Sequence, residues 1–300
     1  MLFCIFSFNR GQYLQNCVDS IERCAPFARI AVFDDNSYDE DTQAVLKNIS
    51  QRHKVIQPGK VSSHKLGGLY GNMQSAIEYA EHENLVCFIQ DDMQVVRQVT
   101  EQDIAAISQV FDGDESLAFL QPCFMKGCNR KRDLTTLSYD PTRLAYFRKE
   151  TGQSAGQHFS AVLMTRPARL LAKQWQFARS EPDNDKQAAK LFGRIGHLAV
   201  PIAMWLPEVP AYRGKRKTLA LRLAERKRGS GFFPLAIMTE QELAALRSRS
   251  MDVLPVAEDF LKCTSGEPQI PWRYYPLQGS RWLKKLNGAE LALRRLLRLA

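Results

Sequence analysis

The chain has no uninterrupted run of about 18 apolar residues, the length that a helix needs to cross a bilayer, so no transmembrane segment is expected. It has no Cys-x-x-Cys pair. The seven cysteines lie at 4, 17, 24, 87, 123, 128 and 263, and no histidine or second cysteine pair completes a zinc site beside Cys123 and Cys128. An odd number at irregular spacing argues against a disulfide framework and reads as buried, reduced thiols in a cytoplasmic protein. Internal repeats and low-complexity tracts are missing too. The opening Met-Leu-Phe-Cys-Ile-Phe has no basic segment followed by a long apolar stretch, so no secretory signal peptide is expected.

What is present is an ordinary globular balance: 300 residues, 45% hydrophobic and 24% charged. That length fits one large α/β domain with an appendage, or two modest domains. The net charge of +9 is unevenly placed. Residues 213–300 hold 18 Lys/Arg against 8 Asp/Glu, whereas residues 1–212 hold 23 against 24. A basic C-terminal part suggests an anionic partner surface, either membrane lipid or nucleic acid.

Apolar runs and helical spacing alternate over the first 90 residues. Residues 2–8, 30–33, 55–56 and 85–89 read as strands; 12–24, 39–51 and 69–82 read as helices. Alternation of this kind implies a parallel sheet covered on both faces, with ligands bound outside the carboxyl ends of its strands. Three strand ends are therefore of interest: Phe8-Asn9-Arg10, Asp34-Asp35-Asn36-Ser37 and Asp91-Asp92. Adjacent carboxylates repel each other, and a divalent cation shared with substrate phosphates relieves that repulsion. A solvated turn is the plainer reading of one Asp-Asp pair, but a second acidic strand end at the same sheet edge weakens it.

Residues 5–46 (IFSFNRGQYLQNCVDSIERCAPFARIAVFDDNSYDEDTQAVL) resemble the opening of the family 2 GT-A glycosyltransferases. Residues 67–80 (GGLYGNMQSAIEYA) resemble that family's glycine-rich approach to its third helix, and Phe88-Ile89-Gln90-Asp91-Asp92 stands where the family keeps its D-x-D-type metal motif. The resemblance implies an α/β GT-A fold with a mostly parallel central sheet and an inverting transfer from a nucleoside-diphosphate sugar, with UDP-sugar as the default. It further implies Mn²⁺ or Mg²⁺ and a saccharide or lipid-linked glycan acceptor, as in bacterial-type surface polysaccharide or lipopolysaccharide synthesis. Carried over by position, Phe8 faces the donor base, with Phe6 and Arg10 beside it. Asp35 accepts a hydrogen bond from the base, with Asp34 as fallback. Gly67 and Gly68 lie against phosphate, Asp91 serves the ribose side, and Asp92 binds the metal. For Phe6 and Phe8 the competing reading is core packing; for Asp35 it is a helix N-cap. The chain departs from the family at Asn72-Met73-Gln74, where a basic residue is often found, and Lys65 or Arg10 is the available substitute.

In the second half, residues 159–164 read as a strand, followed by a helix to about Trp175. Ser180-Glu181-Pro182-Asp183-Asn184-Asp185 opens another helix, which leads to Ile195-Gly196 and a strand over 199–206. The family places a Glu-Asp pair about 11 residues before such a glycine. That register makes Asp185 the general base, with Asn184 in place of the glutamate and Asp183 as the next candidate; N-capping is the plainer reading of both. No histidine follows His197, so a third protein ligand to the metal is not evident.

The expected division is 1–125 for the nucleotide-sugar half, 126–212 for the acceptor half and 213–300 for a basic, largely helical extension. Residues 281–300 (RWLKKLNGAELALRRLLRLA) have apolar positions at helical spacing flanked by Lys and Arg, the pattern of an interfacial helix on an anionic membrane or of a helix docked on the protein body. The protein is thus expected to be cytoplasmic, with the inner membrane face as a second location. A sugar-nucleotide nucleotidyltransferase is disfavoured because no glycine-rich basic loop follows the first strand. Nucleic-acid binding, resting on charge alone, leaves the acidic strand ends without a role and is not expected.

Overall fold

The computed structural model describes residues 1–57, 68–149, 156–211 and 216–297. The first half runs β1 (Leu2–Ser7), α1 (Gly11–Cys24), β2 (Arg29–Asp34), α2 (Glu40–Ile49), β3 (Lys54–Ile56), α3 (Leu69–Tyr79), β4 (Val86–Gln90), β5 (Met93–Val95), α4 (Glu101–Asp112) and β6 (Leu120–Gln121). The second runs α5 (Arg130–Thr136), β7 (Leu137–Asp140), β8 (Ala145–Arg148), β9 (Leu163–Thr165), α6 (Pro167–Ala172), α7 (Glu181–Leu191), β10 (Gly196–Leu198) and β11 (Ala203–Trp205). Then follow α8 (Leu219–Arg228), α9 (Glu240–Ser248), α10 (Ala257–Phe260) and α11 (Arg281–Leu296).

Among the described residues, nine strands form one sheet in the order β3-β2-β1-β4-β9-β6-β10-β8-β7. β1, β2, β3 and β4 are mutually parallel. β9 runs against β4 and β6, and β8 runs against β10 and β7, so these two oppose the other seven. Strand parity builds a core on each face. Phe3 and Ile5 of β1 pack with Leu14, Val18 and Ile21 of α1, while Leu2, Cys4 and Phe6 pack with Met73, Ala76 and Ile77 of α3. Burying each Val, Leu, Ile, Phe or Met side chain among them contributes about 1.5–3 kcal/mol.

Of the strand expected over 199–206, only Ala203–Trp205 is a strand. β10 ends just before it at Leu198, and Ala203–Trp205 pairs with Met93–Val95 outside the large sheet. Arg97, almost fully buried, holds that crossing: its guanidinium donates to the carbonyls of Pro201, Val200 and Gln98 and to Asp103 Oδ2 at 2.7–3.0 Å.

The C-terminal segment does not stand apart from the rest. Leu235, Met238, Leu243, Leu246, Leu261 and Trp272 share one cluster with Val96, Phe124, Met204 and Leu206 of the α/β body. α8 and α11 pack on each other through Leu221, Ala224 and Leu283, with Leu277 of the preceding segment in the same cluster.

Candidate active site at the strand ends

Two asparagines shape the loops after β1 and β2. Asn9 and Asn36 adopt left-handed backbone, with φ of 50° and 56°, a conformation that asparagine tolerates better than most residues. The Asn9 N–H donates to Ser37 Oγ at 2.8 Å, and Asn9 Oδ1 accepts from the Tyr38 N–H at 2.8 Å, so the two loops are cross-braced.

Phe6, expected beside a donor base, packs in the core between Phe33 and Phe88, because its position on β1 points into the α3 side of the sheet. Phe8 lies past the strand end, half-buried, with its ring 6.0 Å from that of the exposed Tyr38. Asp34 is fully buried. Its carboxylate accepts from the Ser37 N–H and hydroxyl at 2.8 and 2.5 Å and from Gln57 Nε2 at 3.0 Å, so it closes the turn after β2. Asp35 is the half-exposed member of the pair. The helix cap that competed for it is supplied by Asp39, which accepts from the Thr42 N–H. Asp35 Oδ2 instead accepts from the Gly68 N–H at 2.6 Å. A Cβ at Gly68 would lie 2.0 Å from Asp35 Oδ1, so that approach requires glycine. Burial raises the Asp35 carboxyl and Asp34 adds to this, while the Gly68 N–H opposes it. Gly67 and Lys65 lie outside the described residues.

Asp91 and Asp92 form the turn between β4 and β5. Asp91 is buried; its Oδ2 accepts from the Phe8 N–H at 3.1 Å. The Asp92 carbonyl accepts from the Leu206 N–H at 2.9 Å, which ties the turn to the chain leaving β11. Arg10 Nη1 bridges the two carboxylates, 3.3 Å from Asp91 Oδ1 and 2.5 Å from Asp92 Oδ2. Burial raises the Asp91 carboxyl, Arg10 opposes that rise, and the neighbouring Asp92 charge adds to it. Asp92 Oδ1 is buried and has no hydrogen-bond partner. An acceptor left this way costs free energy unless something fills it, and a cation does so. The donor set therefore fits a hard divalent ion. No group of three or more His, Cys, Asp or Glu side chains among the described residues forms a closed metal cage. Mg²⁺ and Mn²⁺ commonly take one or two carboxylates and complete their shell with phosphate and water oxygens.

The helix α7 carries the other expected carboxylates. Asp183 is exposed and belongs to the N-cap, its Oδ2 accepting from the Ser180 hydroxyl at 2.6 Å. Asp185 Oδ1 accepts three backbone N–H groups, from Gly156, His158 and Phe159, at 3.1, 2.8 and 3.0 Å. It thereby pins the loop that precedes β9. Asn184 is buried and bonds to the Ala178 backbone through both its amide groups. Glu181, one helical turn before Asp185 on the same face, was not singled out in the sequence. It lines a cavity of about 350 Å³ together with Gln90, Lys126, Trp205 and His197. It accepts from the Ala161 N–H; burial nonetheless raises its carboxyl, with Asp185 adding and Lys126 opposing. The Ser180-x-x-Asp183 spacing is an N-cap signature, and placing the helix start there puts Glu181 at the first turn and Asp185 on its face.

The chain resembles solved structures at low identity. S. aureus TarS has a TM-score of 0.46 and 18% identity over 68% of this chain and 36% of that one. A second TarS structure, spanning 1-349 in complex with UDP, has a TM-score of 0.45 and 17% identity over 68% of this chain and 60% of that one. The mannosyltransferase PcManGT from Pyrobaculum calidifontis, in complex with GDP-Man and Mn2+, has a TM-score of 0.45 and 11% identity over 98% of this chain and 74% of that one. This chain thus spans less than two thirds of either TarS chain. No curated protein matches it. The sequence model described as Glycosyl transferase family 2 matches residues 3–167, more than half of the chain and the stretch that holds Arg10, Asp35, Asp91 and Asp92. With its α/β GT-A sheet and these acidic strand ends, the chain belongs to that family of glycosyltransferases.

Proposed function

We propose that the protein transfers a sugar, with inversion, from a nucleoside-diphosphate donor to a saccharide or lipid-linked glycan acceptor, with UDP-sugar as the first donor to test. The observation that carries this is the buried Asp92 Oδ1 with no hydrogen-bond partner, at the end of the strand whose last residue, Gln90, lines the cavity that Glu181 also lines. Phe8 and Asp35 lie on the donor-base side and Asp91 on the ribose side. Asp92 would hold Mn²⁺ or Mg²⁺, which when bound supplies Lewis-acid stabilisation of the departing diphosphate. Arg10, already against both carboxylates, is placed to swing its charge onto the donor phosphates. Gly68 gives close backbone approach there, and Gly67 beside it has the same expected role.

The acceptor hydroxyl attacks the anomeric carbon from the side opposite the nucleotide, and a carboxylate must take its proton. Glu181 is assigned that role in preference to Asp185 and Asp183. Glu181 lines the cavity, whereas Asp185 is occupied by three N–H groups and Asp183 by its own helix cap. Asp185 then holds the 156–159 loop in place.

Gly68→Ala tests the donor-base side. The added methyl must displace the Asp35 carboxylate, which is a side-chain end and free to move, so the fold should tolerate the change. UDP affinity should fall by about tenfold, the scale of one charge-assisted hydrogen bond. Calorimetric titration of UDP with Mn²⁺ measures it; unchanged affinity would remove Asp35 from the base site.

The tail has two faces. Leu283, Asn287, Glu290 and Arg294 of α11 dock on α8 and the chain before it: Arg294 donates to the Arg216 and Lys217 carbonyls, and the Thr218 hydroxyl donates to Asn287 Oδ1. Trp282, Leu286, Leu293 and Leu297 form the adjacent stripe and are 38–61% exposed, beside exposed Leu219 and Leu223 of α8. No helix among the described residues is long and apolar enough to cross a membrane. We assign the stripe to the interface of an anionic membrane, with Lys284, Lys285 and Arg295 at the headgroups, where each cation contributes about 1 kcal/mol. The combined change Trp282→Ser, Leu293→Ser and Leu297→Ser should leave the melting temperature in place and weaken binding to phosphatidylserine vesicles at least roughly tenfold. Equal sedimentation of both proteins with vesicles would refute the assignment.

A further inference from the structure

The cavity beside Glu181 carries more positive charge than its own carboxylates absorb. Lys126 reaches it with its ammonium 3.8 Å from the Trp205 ring centroid and 4.8 Å from that of Tyr274, and it forms no ion pair among the described residues. Arg132, exposed, and Arg148, buried, share one carboxylate, Asp133, whose Oδ1 lies 2.9 and 3.1 Å from their guanidinium groups. His197 also lines the cavity. It is 6% exposed, and neither ring nitrogen has a hydrogen-bond partner. Burial, helped by Arg148 and Arg132, pushes its imidazole down to about 3, so it stands there neutral, with one N–H to donate. Of the carboxylates, Asp133 is spent between two arginines, and Glu181 is the group assigned to accept the acceptor proton.

Three cations and an unpaired buried imidazole, gathered in a space of about 350 Å³, form a receptor for negative charge. An aromatic box alone would hold Lys126, but it does not explain why His197 and the shared Asp133 face the same space. We propose that this cavity seats an anionic group of the acceptor, a phosphate or a carboxylate, between Lys126, Arg132 and His197, so that the enzyme selects acidic sugars. The inference rests on the reading of this cavity as the acceptor site. Tyr274 of the C-terminal segment lies against Lys126, which gives that segment an indirect part in acceptor choice.

The test is calorimetric titration of the full-length protein with glucose, galactose and N-acetylglucosamine and with their 6-phosphates and 6-carboxylates, with and without UDP and Mn²⁺. At least one acidic sugar should bind tenfold or more tightly than its neutral counterpart. The phosphate and carboxylate arms tell which group is preferred, and inorganic phosphate alone should bind more weakly than the preferred sugar. Lys126→Met and Arg132→Met, made separately, should each remove most of the preference and leave UDP affinity unchanged. If no acidic sugar binds more tightly than its neutral counterpart, or if the preference survives in both variants, the proposal is overturned. UDP binding in the same samples is read separately: its absence overturns the donor reading, whereas its presence without an acid preference overturns only this one.

Discussion

Asp92→Asn should lower sugar transfer by roughly a thousandfold or more and abolish the dependence of UDP binding on Mn²⁺. A thousandfold is about 4 kcal/mol of transition-state stabilisation, the amount expected when a Lewis acid is lost from a leaving diphosphate. The substitution keeps size and shape, so the β4–β5 turn, held by the Asp92 carbonyl rather than its side chain, should survive. It removes one carboxylate from Arg10, which retains Asp91. The paired control is the melting temperature, which should move little. Wild-type-like turnover together with unchanged Mn²⁺ dependence would show that Asp92 is not a metal ligand.

Glu181→Gln should keep UDP affinity and lose turnover by about 10²–10⁴-fold, the range of a general-base contribution. Asp183→Asn should cost little turnover, because its carboxylate serves the Ser180 cap. Asp185→Asn should lower the melting temperature as well as turnover, because three N–H groups of the 156–159 loop lose a charged acceptor. Rate against pH adds an independent check. The base works only when ionised, so activity should fall as pH drops through the Glu181 pKa. Since burial raises that group, the acid limb should lie above the ordinary glutamate range. A full loss in Asp185→Asn with an intact fold, beside an active Glu181→Gln, would move the role to Asp185.

Much of the donor half was legible in the sequence. Strands buried on both faces leave continuous apolar runs, and β1, β2, β3 and β4 appear within one or two residues of their expected places. The acidic residues that end β2 and β4 mark the sheet edge directly. Other features depend on contacts between distant residues and leave no local trace. Phe6 and Phe8 share the same strand parity and differ only in where β1 stops, between them at Ser7. Asp34 and Asp35 are adjacent in sequence, and their roles separate only when Ser37, Gln57 and Gly68 come into reach. Counting back from Gly196 led to Asp185, but the count says nothing about the 156–159 backbone that occupies it. Leu235 to Trp272 falls inside the expected basic extension because the segments on either side of it, 213–228 and 281–300, are rich in Lys and Arg. Its apolar residues find Phe124 and Met204 more than 60 positions away from some of them.

The central claim is a single in-line displacement in which Glu181 activates the hydroxyl that attacks a nucleotide-bound sugar. Water entering the acceptor cavity should be activated in the same way, so slow donor hydrolysis gives a reading without a known acceptor. Proton NMR of freshly released sugar, followed over a panel of nucleotide sugars that begins with α-linked UDP-sugars and Mn²⁺, reports the configuration at the anomeric carbon before it equilibrates. The account predicts that the first sugar released is the β-anomer, and that Glu181→Gln releases it far more slowly. Release of the α-anomer, or no cleavage of any nucleotide sugar by the intact protein, would contradict it.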